Sequence, residues 1–164
     1  LPYLTGGFGD IKAASGCFLN MTLDDDRFVQ WRAVLEAIGY DYMEITDTYR
    51  AAGVDLSRIT VTEGGSRDSL WNQIKADMLA ADVVRFRTAG GAVVTNCVFA
   101  AKAAGDVDDV TQALSQTFVK DAQYQPDADN SKLYRKLFNL KTKLVREDMK
   151  GAFDTLSAMR PCRR

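Results

Sequence analysis

Apolar residues recur at helical spacing over residues 28–49. Phe28, Trp31, Leu35, Ile38, Tyr42, Ile45 and Tyr49 alternate steps of three and four, so all seven fall on one stripe of an α-helix. Asp24, Asp25 and Asp26 precede the stripe, where carboxylates suit the positive end of a helix dipole. Gly53 follows it as a C-cap glycine would, ending the helix near Ala52. A sustained stripe admits a coiled-coil seam. Its aromatic content, the lack of a long flanking charge pattern and Gly39 within its span favour a helix packed on a sheet. The same stripe is also able to face a partner domain, which would leave an apolar patch and self-association, hence a homo-oligomer, open to this chain.

The period then changes. Ile59 and Val61 alternate with Thr60 and Thr62, a β-branched pattern of period two that predicts a strand. It runs into Glu63-Gly64-Gly65-Ser66 and a helix whose apolar face is Leu70, Trp71, Ile74, Met78 and Leu79. Residues 83–87 predict a second strand, and Thr88-Ala89-Gly90-Gly91 leads into an Ala/Val-rich helix ending near Gly105. That helix carries few charges and is expected to be buried on most sides. An acidic link at 106–109 opens a helix reaching about Lys120, and the stretch 123–129, which holds Pro126, has no periodicity. A last helix is expected over 131–159, with Leu133, Leu137, Leu140, Leu144, Phe153 and Leu156 as packing positions. Residues 1–22 read as loops and edge strands, including 16–19. The strand–helix–strand–helix order at the centre defines an α/β unit with parallel pairing and a right-handed crossover.

Composition narrows the function classes. The 164 residues are the size of one domain, 46% hydrophobic and 26% charged, with a formal net charge of -1. That balance gives no global pull toward nucleic acid or anionic lipid. No apolar run approaches the roughly 18 residues of a membrane helix. The chain has no histidine, which removes Ser-His-Asp and Cys-His chemistry and leaves a zinc site without its commonest nitrogen ligand. Cys17, Cys97 and Cys162 are scattered, odd in number and without C-x-x-C spacing, as expected of reduced thiols in a cytoplasmic protein. The chain starts at Leu1 with no signal-peptide pattern and reads as a cut inside a longer protein.

The residues that carry chemistry lie where strand meets helix, at Gly64, Gly65, Ser66, Arg67, Asp68 and Ser69. Glycine lacks a Cβ, can take positive φ, and lets a flat ligand approach the backbone. The following helix N-terminus offers free N–H groups. Glu63 and Asp68 put negative charge beside the turn, and no Walker-A lysine follows, so this is not a P-loop. A nucleoside fits better than a bare phosphate, with adenine against Gly64 and Gly65 and a hydroxyl hydrogen bond from Ser66 or Ser69. Local sequence by itself favours a tight turn in which Ser66 is an N-cap and nothing more.

The run from Ile59 to Met78 resembles the adenosine segment of the FGGY family of carbohydrate kinases. Gly64, Gly65, Trp71, Gln73, Ala76 and Asp77 fall where that family's pattern asks. Leu1-Pro2-Tyr3-Leu4 resembles the family's Pro-Tyr segment. Residues 16–21 with 32–36 resemble its second signature, residues 98–105 its alanine-rich helix, and Pro126-Asp127 with Tyr134 its closing segment. The ordered set spans roughly residues 1–145. Departures are Asn20 where glycine is usual, Val29-Gln30 in reversed order, and Thr95 where the family tends to have glycine, with no Glu before it.

The resemblance implies an actin-like ATPase fold, related to ribonuclease H, with residues 1–164 as a C-terminal nucleotide-binding fragment. It implies ATP and Mg²⁺ as cofactors, a sugar substrate, and an N-terminal sugar-binding domain of the same protein as partner. Gly64, Gly65, Ser66 and Ser69 would line the adenine pocket, and Trp71, Gln73 and Asp77 would be structural in the helix behind it. The catalytic aspartate and the phosphate-binding turns would lie upstream of Leu1, so this fragment alone would be inactive. The implied reaction is transfer of the ATP γ-phosphate to a sugar hydroxyl, in a pentulose-kinase, xylulose-kinase-like branch. One alternative is a non-catalytic interaction module with a degenerate nucleotide site. Another, a nucleic-acid module, would rest on Lys132, Arg135, Lys136, Lys141, Lys143 and Arg146 with Arg163 and Arg164; the acidic residues among them and the lack of an aromatic platform argue for a solvated helix face and no nucleic-acid partner.

Overall fold

The structure is a computed structural model that describes residues 1–62, 64–87 and 91–159. Cys162, Arg163, Arg164, Glu63 and Gly90 lie outside the described residues.

The long helix forms as α1, Arg27–Ala51. The Asp26 carboxylate caps it, accepting from the backbone N–H groups of Phe28 and Val29 at 2.8 and 3.0 Å. Gly53 follows at φ +83°, a left-handed turn that suits glycine and stops the helix. The chain continues as β1 (Arg58–Val61), a 3-10 turn at Gly64–Arg67, α2 (Ser69–Leu79), β2 (Asp82–Phe86), α3 (Gly91–Ala104), α4 (Val110–Thr117), β3 (Lys120–Tyr124), α5 (Ala128–Lys143), a π-helical turn at Leu144–Asp148, and α6 (Lys150–Met159).

The three strands form one sheet in the order β1-β2-β3. β1 and β2 are parallel, with Ile59 opposite Val83 and Val61 opposite Arg85. β3 runs antiparallel to β2, with a bulge that skips Asp121 between the Arg85 and Phe86 pairings. α4 therefore stops at Thr117, short of the expected Lys120, and the chain from Lys120 into the first two residues of the non-periodic stretch forms a strand that the sequence did not announce. In the opposite direction, residues 16–19 form no strand.

α2 is the centre of the core. Trp71, Ile74, Met78 and Leu79 pack with Leu35 and Met43 of α1, with Tyr134 of α5 and with Ala81 just before β2, and Ile59 lies against the same cluster. Burying each large apolar side chain in such a cluster contributes about 1.5–3 kcal/mol. α1 meets α2 through Leu35, Gly39, Met43 and Thr46. A Cβ at Gly39 would come within 2.3 Å of Met78 Sδ, so the two helices approach closely there. The expected stripe is therefore not the buried face: of its seven residues only Leu35 is buried, while Trp31 is 57% and Ile45 52% exposed. α1 packs on a helix rather than on a sheet.

α5 is joined to α1 mainly by charge. Arg135 grips Asp47 with two hydrogen bonds, at 2.6 and 3.0 Å. Lys141 pairs with Asp41 at 3.2 Å, and Arg146 with Asp10 and Glu44 at 2.5 and 2.8 Å. Lys132 and Lys143 pair with Asp129 and Asp148. Lys132, Arg135, Lys141, Lys143 and Arg146 of the basic row are thus each engaged in an ion pair. The Tyr134 hydroxyl donates to Glu36 at 2.8 Å and accepts from Arg32 at 3.1 Å; burial pushes its pKa up to about 12.

The last helix is not continuous. At the π-helical turn the buried side shifts to Val145 and then Phe153, which form a second cluster with Tyr3 and Ala14. Leu133, Leu140 and Leu156 are exposed. α3 packs with α4 and leaves Val93 and Phe99 exposed, so it is not buried on most sides.

Candidate functional site

The Gly64–Arg67 turn links the end of β1 to the start of α2. Neither Gly64 nor Gly65 has positive φ; among the described glycines that conformation falls to Gly6, Gly9, Gly53 and Gly105. What the two glycines provide is open backbone. A Cβ at Gly64 would meet nothing within 4 Å, and one at Gly65 would meet only Trp71 Nε1 at 3.9 Å. A flat ring can therefore approach the main chain there from solvent.

The structure separates the four candidate residues. Gly64, Gly65 and Ser69 are exposed, and Ser69 opens α2. Ser66 is buried under the turn, and the N-cap of α2 is Asp68, whose carboxylate accepts from the Trp71 N–H at 3.0 Å. The Ser66 carbonyl points inward, where Asn72 Nδ2 donates to it at 2.7 Å. A guanidinium N–H of Arg85 donates to the Ser66 and Arg67 carbonyls at 3.5 and 3.4 Å, and Arg85 also pairs with Asp121. The turn is thus held from beneath by a helix residue and a strand residue that sequence reasoning did not single out. Arg85 did leave a signal, a cation inside the run Val83, Val84, Phe86.

Trp71 backs the turn. It stacks with Tyr42 at 6.2 Å between ring centroids, and the Lys75 ammonium sits 4.6 Å from its centroid. Lys75 is buried, with Asn72 Oδ1 at 3.5 Å, and burial holds its pKa below the ordinary lysine value. Behind them Asp77 ties α2 to α5. Its carboxylate accepts from Gln73 Nε2 at 2.8 Å, the Asp127 N–H at 2.9 Å and Asn130 Nδ2 at 3.0 Å, while Ser131 Oγ donates to its carbonyl at 2.7 Å. Gln73 also donates to the Gln125 carbonyl at 2.8 Å. Trp71, Gln73 and Asp77 are framework, as expected for the helix behind the turn.

On the other side of the sheet a cavity of about 350 Å³ is lined by Thr60, Thr62, Phe86, Gly91, Ala92, Thr95, Asn96 and Phe118. A Cβ at Gly91 would come 3.4 Å from Thr62 Cγ2, so α3 approaches β1 through a glycine here rather than at Thr95. The departure at Asn20 also has a physical reason. Asn20 sits at φ +59°, a left-handed conformation that glycine takes freely and asparagine tolerates.

The residues present fit an adenine-type ligand over Gly64 and Gly65, where open backbone and the exposed Ser69 hydroxyl lie together. Among the described residues no group of three or more carboxylates or thiols is placed to bind a metal ion. Among those residues, too, no helix is long and apolar enough to cross a membrane.

Comparison with known proteins gives this architecture a class. Xylulose kinase from Rhodospirillum rubrum superposes with a TM-score of 0.77 and 25% identity, over 94% of this chain and 31% of that one. The fold is that of the actin-like ATPases. The FGGY family of carbohydrate kinases, C-terminal domain, matches residues 5–104, and the chain belongs to that family. Xylulose kinase of Bacillus subtilis is 26% identical over 141 residues, 85% of this chain and 28% of the relative. Xylulose kinase of Escherichia coli (strain K12) is 30% identical over 154 residues, 85% of this chain and 32% of the relative. The chain therefore spans less than a third of the length of these relatives.

Proposed function

We propose that this chain is the adenine-nucleotide-binding portion of an ATP-dependent kinase acting on a pentulose or related sugar in the cytoplasm. Gly64, Gly65 and Ser69 would contact the adenosine, and Ser66 would serve through its place under the turn. The observation that carries this reading is the open backbone at Gly64 and Gly65, anchored from below by Asn72 and Arg85. Family membership supports the kinase activity, and the xylulose kinases among its relatives support the sugar class. The catalytic aspartate, the sugar contacts and the Mg²⁺ ligands are assigned to the part of the kinase polypeptide outside this chain. In the complete enzyme that part would bring the sugar hydroxyl in line with the γ-phosphate, and the aspartate would take the hydroxyl proton.

Titrating Mg·ADP into the chain while following backbone amide resonances tests the nucleotide assignment. Shifts clustered at Gly64, Gly65 and Ser69 are expected. Shifts confined to other elements, or none at millimolar nucleotide, would remove the adenosine role from this turn and favour the non-catalytic interaction module.

A further inference from the structure

Lys75 and Asn72 form a relay beneath the glycine turn. α2 starts at Ser69, and the i, i+3 and i, i+4 spacings of a helix put Lys75 one turn along from both Asn72 and Trp71. All three side chains are buried, Asn72 with no exposed surface. The Lys75 ammonium lies 3.5 Å from Asn72 Oδ1 and 4.6 Å from the centroid of the Trp71 ring. At its other end the Asn72 amide donates through Nδ2 to the Ser66 carbonyl at 2.7 Å. That carbonyl belongs to the 3-10 turn Gly64–Arg67, whose last carbonyls have no acceptor role inside so short a turn. The other donor to it, Arg85, is longer at 3.5 Å and is shared with the Arg67 carbonyl and Asp121. Asn72 is therefore the closer brace.

An amide has two ends of nearly equal shape, and only its partners tell them apart. Turned over, Asn72 would aim its NH₂ group at the ammonium, donor against donor, and its oxygen at the Ser66 carbonyl, acceptor against acceptor. Lys75 carries donors and a positive charge, so it attracts the oxygen end alone. Burying a lysine whose hydrogen-bond acceptor is an amide rather than a carboxylate is costly, and a methionine could fill the same space without losing hydration. What methionine could not do is hold the Asn72 oxygen. The lysine thus stands where it lowers stability and governs one carbonyl of the turn.

We propose that Lys75 is a positioning residue for the nucleotide turn: by fixing the Asn72 amide it holds the Ser66 carbonyl inward and keeps the Gly64–Gly65 backbone in the shape that receives the base. Lys75 touches no ligand and acts through Asn72. The identity of the ligand rests on the adenosine reading of this turn; the brace does not.

Lys75→Met in this chain tests the relay. Its urea midpoint should match or exceed the parent's, while the Asn72 side-chain amide resonances move and amide exchange at residues 64–67 quickens at least about threefold. Mg·ADP affinity should fall about fivefold, as expected when one buried hydrogen bond no longer holds its place. In an Asn72→Leu background the same substitution should change neither exchange nor affinity further, because the link to the turn is already cut. Unmoved Asn72 resonances with parental exchange overturn the proposal. So does a loosened turn that merely tracks a lower urea midpoint, which makes Lys75 structural. So does undiminished Mg·ADP affinity in the variant when the parent binds the nucleotide. An equal loss from Lys75→Met with and without Asn72 shows Lys75 acting on its own and overturns it as well. If Asn72→Leu does not fold, the Asn72 resonances and the exchange of Lys75→Met decide. If the parent binds no Mg·ADP, the adenosine reading falls, and those same two measurements decide whether Lys75 sets the turn.

Discussion

Asn72 Nδ2 donates to the Ser66 carbonyl at 2.7 Å from a side chain with no exposed surface. This bond fastens the Gly64–Arg67 turn to the first turn of α2. Asn72→Leu keeps the volume and removes the donor. It should cost about 1–3 kcal/mol, because a buried carbonyl loses its best partner and Lys75 loses its acceptor. Urea unfolding would measure the loss, and faster amide exchange at residues 64–67 would show that it is felt at the turn.

Asp77 gathers three donors from two segments, Gln73, the Asp127 N–H and Asn130. Asp77→Ala leaves all three without their acceptor and uncouples α2 from the start of α5. A loss of about 2–4 kcal/mol is expected, since hydrogen bonds to a buried carboxylate are charge-assisted. Asp77→Asn should fall between the two, as one of its terminal atoms donates instead of accepting.

Lys75 gives a pH-dependent test. Burial holds its folded-state pKa below the ordinary 10.5, so between those two values the unfolded chain binds more protons. Its contribution to stability therefore rises as pH climbs through that window and is a constant penalty below it. Lys75→Met should raise stability at neutral pH by on the order of 1 kcal/mol. The advantage of the variant should shrink toward pH 10.5, which urea midpoints of both proteins across that range would show.

Gly64→Ala separates folding from binding. The added methyl meets nothing in the protein, so stability should change by no more than about 0.5 kcal/mol. If adenine lies on this backbone, the methyl occupies its place, and Mg·ADP affinity should drop about tenfold, equivalent to about 1.4 kcal/mol. Paired calorimetric titration and thermal melts would read both quantities.

Gly39→Ala tests the helix contact. Its Cβ would press on Met78 Sδ at 2.3 Å, and Met78 is itself buried. Overpacking of this kind costs about 1–3 kcal/mol, against a gain of about 1 kcal/mol in helix propensity. A net loss is expected, recovered in part by pairing it with Met78→Ala.

Local chemistry was legible in the sequence. Asp26, Gly53 and the β-branched run at residues 59–61 set the limits of α1 and the position of β1, because caps and alternation act over a few residues. The Gly-Gly turn and the framework role of Trp71, Gln73 and Asp77 were legible through the family resemblance. The faces were not. The stripe from Phe28 to Tyr49 defines an apolar side of α1, but periodicity cannot say what covers it. Gly39, which reads as a mild helix breaker, is where α2 docks, because only a missing Cβ admits Met78. β3 was illegible because Lys120–Tyr124 is a strand by virtue of its pairing with β2 rather than its own propensity. The π-helical turn at Leu144–Asp148 was illegible because helix-forming residues run through it, and the shift serves Val145 and Phe153, which pack against Tyr3. Sequence alone determined the limits of α1, the position of β1 and the glycine turn between β1 and α2. Tertiary structure decided which faces pair, because that depends on contacts between residues far apart in the chain.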